Sequence, residues 1–107
     1  MQVLLQGRNV NEEYMRNAML KVLSKDQAIR VLEHTIGSPK SAYDISIACK
    51  IPLTQVYRWV RKLHKLGFVR VSGATNRAGK KYFMYQSKVR TIKATLGENS
   101  SLQIEIS

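Results

Sequence analysis

Residues Thr54 to Lys65 hold the densest group of side chains able to do recognition chemistry. Gln55, Tyr57, Arg58, Arg61, Lys62 and Lys65 fall on one side of this stretch at helical spacing, and no Asp or Glu interrupts them. Guanidinium and ammonium groups donate hydrogen bonds and carry positive charge, so that side suits a polyanion. The other side repeats Val56, Trp59, Val60, Leu63 and Leu66 at steps of three and four, which makes a face to bury. Trp59 shares that apolar face and reads as core rather than as a stacking platform. A basic outer face on a lone helix is ordinarily a solvated face, so the surrounding chain must decide whether it is more.

Charge is distributed unevenly around it. The chain of 107 residues carries a net charge of +11. Between Lys50 and Lys93 stand 12 Lys and Arg and no acid, which leaves six basic residues and all seven acids for the rest. Basic asymmetry of this kind favours an anionic partner, nucleic acid first and an acidic membrane surface second. A basic helix whose apolar face a globular core needs is a weak membrane binder.

Other chemistries find little support. Paired carboxylates are missing where the charge is, no Ser/His/Asp or Cys/His constellation is apparent, and an enzyme is not expected. The glycines at 73 and 79 bracket a turn without the Gly-Lys-Ser/Thr ending of a phosphate loop. His34, His64 and the single Cys49 are not spaced as metal ligands, so neither metal nor other cofactor is expected. Cys49 reads as a small buried apolar residue and permits no internal disulfide, which fits a reducing cytoplasmic compartment. Residues 1–7 make a poor signal peptide, and no apolar run approaches the ~20 residues of a membrane span. The length and 44% apolar content fit one globular domain over residues 1–107.

The elements follow from pattern breaks. A short strand is predicted over 2–6. A helix over 11–23 follows, with Asn11 as cap, Glu12 and Glu13 in its first turn, and Met15, Ala18, Met19, Val22 and Leu23 repeating. Its methionines suit a core or a dimer seam. Asp26 is read as the N-cap of a helix over 27–36 that faces inward with Ile29, Leu32 and Ile36. Ser41 caps a short helix over 42–49 that buries Ile45, Ala48 and Cys49. Ile51 and Pro52 turn the chain into the basic helix, with Thr54 as N-cap and Gly67 as a left-handed stop. The spacing of Ile45, Ile51 and Val56 lets the last two helices share a core.

Beyond Gly67 the period changes from 3.6 to 2. Strands are predicted over 68–72 and 81–87, around a turn-rich loop that puts Arg77, Lys80 and Lys81 at or near the hairpin tip. A second hairpin, about 91–106, turns at 97–100. It needs something to pair with, since a lone hairpin is marginal in water. The N-terminal strand, the first hairpin's sheet or a second subunit would each serve.

The segment Ser41–Val69 with the basic hairpin after it resembles winged helix-turn-helix transcription regulators, nearest the ArsR-like and MarR-like groups and their small archaeal members. The matching residues are Ile45 and Ala48, then Val56, Val60 and Leu63, then the ending Leu66, Gly67, Phe68 and Val69. The resemblance covers about residues 26–87. It implies an α+β, mainly helical winged helix with an extra N-terminal helix and a C-terminal hairpin. It also implies a DNA-binding homodimer, with the recognition helix (about 54–66) in the major groove and the wing (about 68–87) on the backbone or minor groove. On that pattern Thr54, Gln55, Tyr57, Arg58 and Arg61 face the groove, where Gln suits adenine edges and Arg suits guanine. Arg77 and Lys80 sit at the wing, and Lys50, Lys62 and Lys65 add phosphate attraction. The seam of the homodimer falls to the N-terminal helix or the C-terminal hairpin. Clustered Cys or His ligands of metal-sensing relatives are absent from this sequence. Winged helices also bind RNA and proteins, so an RNA-binding or protein-interaction module and a non-specific chromatin protein stand as alternatives.

Overall fold

The computed structural model describes residues 3–5, 10–97 and 102–107, and these form an α+β fold. In chain order the elements are β1 (Val3–Leu5), α1 (Val10–Leu23), α2 (Asp26–Thr35), β2 (Lys40–Ser41), α3 (Ala42–Cys49), α4 (Leu53–Lys65), β3 (Val69–Thr75), β4 (Lys81–Ser87), β5 (Ile92–Leu96) and β6 (Leu102–Ile106). Two antiparallel sheets of three strands result, ordered β2-β4-β3 and β1-β6-β5.

α1 starts at Val10, so Asn11 lies inside the helix, and its proposed capping side chain falls outside the described residues. Among the described side chains of α1 only Met19 is buried, while Met15 and Tyr14 stay exposed. α2 begins at Asp26 itself, with Lys25 at the cap position and no side-chain cap. Asp26 is therefore not the N-cap. Its carboxylate instead pairs with Arg30 Nε at 3.0 Å, one turn on, an exposed contact of small worth. The buried stripe of α2 is Ala28, Val31, Leu32 and Thr35, displaced from the expected Ile29, Leu32 and Ile36. Thr35 can be buried because its hydroxyl donates to Val31 O at 2.8 Å.

Ser41 does cap α3: its Oγ accepts from Asp44 N at 3.1 Å. α3 buries Ala42, Ile45 and Cys49, whereas Ala48 is exposed, contrary to expectation. The inward stripe runs 42, 45, 49, and position 48 turns out on its far side. Lys50 closes α3 in the left-handed region at φ 56°, and Ile51 N donates to Ser46 O at 3.1 Å. α4 then starts at Leu53, two residues earlier than a Thr54 cap requires. Pro52 occupies the cap position, where its missing N–H costs nothing. Its carbonyl accepts from Gln55 N at 2.9 Å and Val56 N at 3.1 Å, so Thr54 lies exposed within the first turn.

The end of α4 is a two-bond glycine stop. Phe68 N donates to Leu63 O at 2.8 Å, Gly67 N donates to His64 O at 3.0 Å, and Gly67 sits at φ 83°. The chain then enters β3, which pairs with β4 from Val69↔Ser87 to Thr75↔Lys81. β3 is longer than the strand expected over 68–72, since Gly73 to Thr75 find partners in Phe83 to Lys81. Asn76 Oδ1 closes the turn by accepting from Ala78 N and Lys80 N, each at 2.9 Å. The two-residue β2 pairs with β4 at Tyr85 and Met84 and ties the helices to this sheet.

The C-terminal hairpin pairs with the N-terminal strand: β6 lies between β1 and β5. Its expected turn includes residues 98–100, which lie outside the described residues. Ile104 and Ile106 are fully buried and join one cluster with Met19, Val31, Ile45, Val56, Leu63 and Phe68.

Two glycines make a paired test. A Cβ at Gly67 or Gly37 would meet nothing within 4 Å, but only Gly67 has positive φ. Gly67→Ala is expected to lower unfolding stability by about 1 kcal/mol from backbone strain alone, while Gly37→Ala stays within about 0.5 kcal/mol of wild type, both measured by urea denaturation.

Candidate nucleic-acid interface

The roll of α4 sorts its side chains into three strips. Val56, Val60 and Leu63 point inward and are buried. Thr54, Arg58, Arg61 and Lys65 recur at steps of three and four on the opposite side, all exposed. The flanks differ. Tyr57, Arg61 and His64 border a cleft of about 240 Å³ shared with Val71, Phe83 and Tyr85 of the β3–β4 hairpin. Trp59, Lys62 and Leu66 border a groove shared with α1.

Gln55 departs from the expected face. It is half-buried, and its Oε1 is shut from solvent without a hydrogen-bond partner. The reason is its position one turn before Trp59, on that residue's side of the helix rather than on the outward strip. Trp59 is half-buried against the core, as its apolar face predicts, and its Nε1 donates to Gln27 Oε1 at 2.8 Å. Lys62 Nζ lies 5.4 Å from the centre of the indole, a cation–π contact.

Arg77 and Lys80 lie exposed in the turn between β3 and β4, and Lys81 opens β4, also exposed. Lys80 and Lys81 line a cleft of about 590 Å³ that reaches the start of α3 and the Tyr57 side of α4. Aromatic residues line the same cleft. Tyr43 and Phe83 are each 64% exposed and Tyr57 is 48% exposed, with Tyr82 and the buried Tyr85 beside them. Tyr43, Tyr82 and Phe83 were not singled out from the sequence. Aromatics in a strand signal β-propensity first, and only the register puts Phe83 on the α4 side with Tyr85, opposite the side-chain-free Gly73.

Electrostatically the face is undiluted. Among the described residues no cation of α4 or of the hairpin is in an ion pair. Asp44, at the α3 end of the larger cleft, is the acid nearest this surface among the residues lining it. Coulombic attraction for a polyanion is therefore not offset within α4 or the hairpin.

Cys49 and His34 line neither cleft of this surface. Cys49 is buried, its Sγ donates to Arg30 O at 3.5 Å, and burial pushes its thiol pKa up against the pull of Arg30 and Lys40. Burial also raises the Tyr85 phenol, reinforced by Tyr57 and opposed by Arg61. His34 and His64 are exposed on separate helices. Among the described residues no three His, Cys, Asp or Glu come together as a metal site, and no helix is long and apolar enough to cross a membrane.

Comparison with protein-family models gives no match, and neither curated proteins nor solved structures give a significant one.

The two raised groups set an alkaline limit. Both pKa values are higher folded than unfolded, so above the ordinary values of 9.0 for Cys49 and 10.0 for Tyr85 the unfolded chain releases protons that the folded chain keeps. Stability from these groups is present below about pH 9 and lost as pH rises through the folded values. Urea denaturation across a pH series should show that fall, and Cys49→Ala should reduce its first part.

Proposed function

We propose that residues 26–87 act as a winged helix-turn-helix that binds double-stranded DNA in transcription regulation. In this reading α3 is the positioning helix, α4 the recognition helix and the β3–β4 hairpin the wing. The observation that carries it is the outward strip of α4. Thr54, Arg58, Arg61 and Lys65 stand clear of the core and of any ion pair among the described residues, on a helix able to enter a groove ~12 Å wide. Arg58 and Arg61, at the middle of the strip, would reach base edges, with Tyr57 beside them. Lys62, Lys65 and the hairpin cations Arg77, Lys80 and Lys81 would hold phosphates. Gln55, half-buried, has the weakest claim among the residues first assigned to the groove.

A homodimer suits such a reader, because two half-sites one turn apart extend the sequence read. β5 supports a seam there. It is the outer strand of its sheet, all five of its residues are exposed, and Leu96 is 85% exposed. Such an edge accepts another strand. Sedimentation at micromolar concentration should return twice the chain mass, and a single-chain mass would remove the dimer.

A second reading rests on the exposed aromatics. Tyr43, Tyr57 and Phe83 beside Lys80 and Lys81 would also stack unpaired bases, as single-strand binders do. Competition among duplex DNA, single strands and duplex RNA over a salt series separates the two. Duplex recognition predicts a preference for duplex DNA with a slope of about −4 in log K against log salt for four or five phosphate contacts. Arg58→Ala should then relax base preference by about 1–3 kcal/mol, while Lys65→Ala weakens all sequences alike. Stronger binding of single strands, lost about tenfold in Phe83→Ala, would favour the second reading instead.

A further inference from the structure

On the other flank of α4, away from the hairpin, lies a groove of about 380 Å³ between α1 and α4. Its apolar lining comes from Met15, Ala18 and Val22, spaced three and four apart on α1, and from Trp59 and Leu66 on α4. Four lysines, Lys21, Lys25, Lys62 and Lys65, also line the groove, and no acid is among the lining residues. An apolar trough lined also by four cations is the complement of a molecule with an apolar body and an anionic head.

We propose that this groove binds a long-chain aliphatic carboxylate, with the alkyl chain against Trp59 and Val22 and the carboxylate among the lysines. A second copy of this chain does not fit. Symmetric docking through the same face would bring lysines against lysines, and like charges oppose association. A partner helix about 10 Å across would rest on the rim of so small a groove rather than fill it. The α1 flank is thus a poor dimer seam.

The site bears on the DNA-binding reading, and this consequence rests on that reading. Lys65 belongs to the outward strip of α4 and Lys62 adjoins it. A carboxylate held by them removes positive charge from the surface offered to phosphate, and linkage makes the two ligands oppose each other. Binding itself requires no nucleic acid.

Trp59 is the sole tryptophan and lines the groove, so its fluorescence reports occupancy directly. Dodecanoate below its micellar concentration is the probe, with dodecyltrimethylammonium as the control of opposite charge. The expected result is a saturable change in Trp59 emission with dodecanoate alone. Lys21→Gln/Lys25→Gln, which alters exposed residues and should leave helical circular dichroism unchanged, should weaken it about tenfold. Three results would overturn the proposal: no saturable change, equal binding of the cationic amphiphile, or undiminished binding by the double variant. Binding of a Glu-rich helical peptide in place of dodecanoate would also overturn it, in favour of a protein partner. In a separate arm, dodecanoate should reduce affinity for a DNA duplex. If the protein binds no duplex at all, the DNA reading fails while the Trp59 titration still decides the groove.

Discussion

The burial of Val56, Val60 and Leu63 fixes the roll of α4, and the surface chemistry of the molecule depends on that roll. A helix has one rotational freedom about its axis, and filling the inward strip removes it. The outward strip of Thr54, Arg58, Arg61 and Lys65 is then determined. So is the division of the flanks, with Tyr57 toward the hairpin and Trp59 toward α1. Large-to-small changes at such sites typically cost 2–5 kcal/mol, so the stripe that sets the roll is also a main source of stability. The two ends of α4 are fixed separately. Pro52 carries its first hydrogen bonds, and the Gly67 stop commits the next residues to β3. Roll and both ends together place the hairpin tip with its lysines at the cleft that Tyr57 borders.

Much of this frame was legible in the residues. The Ser41 cap, the Gly67 stop, the change of period after it and the shared burial of Ile45, Ile51 and Val56 are all local or periodic signals, and each is found. The departures have physical causes. Thr54 and Asp26 are good capping types, but α2 starts one residue and α4 two residues earlier than capping by them would need. Ala48 is small enough to be placed on either side of a short helix, and the stripe through Ala42 and Cys49 turned it outward. Thr35 carries no apolar signal, since a polar side chain is costly to bury, yet its bond to Val31 O removes that cost. β2, with two residues, carries no periodicity to read. The pairing of β6 with β1 joins the two ends of the chain, which no local pattern encodes.

The candidate surface was legible in part. Charge placed the cations on α4 and the hairpin, because a segment from Lys50 to Lys93 with 12 basic residues and no acid is visible in one dimension. It did not reveal that Gln55 is half-buried off the outward strip, nor that Tyr43 and Phe83 meet Tyr57 at one cleft. Those are properties of register and roll. The two flanks consequently differ in character: the hairpin side is mostly aromatic with lysines at one end, and the α1 side mixes aliphatic side chains with Trp59 and four lysines. One basic helix thus borders two chemically distinct recesses.

Nucleic-acid binding through the outward strip of α4 is tested most directly by mapping backbone amide chemical shifts while a DNA duplex is added to the isotope-labelled protein. The largest changes should fall at Thr54, Tyr57, Arg58, Arg61 and Lys65 and in the turn 76–81, with β1, β5 and β6 little affected. Changes concentrated on the β1-β6-β5 sheet, or none at all at concentrations that saturate ordinary non-specific binding, would contradict it.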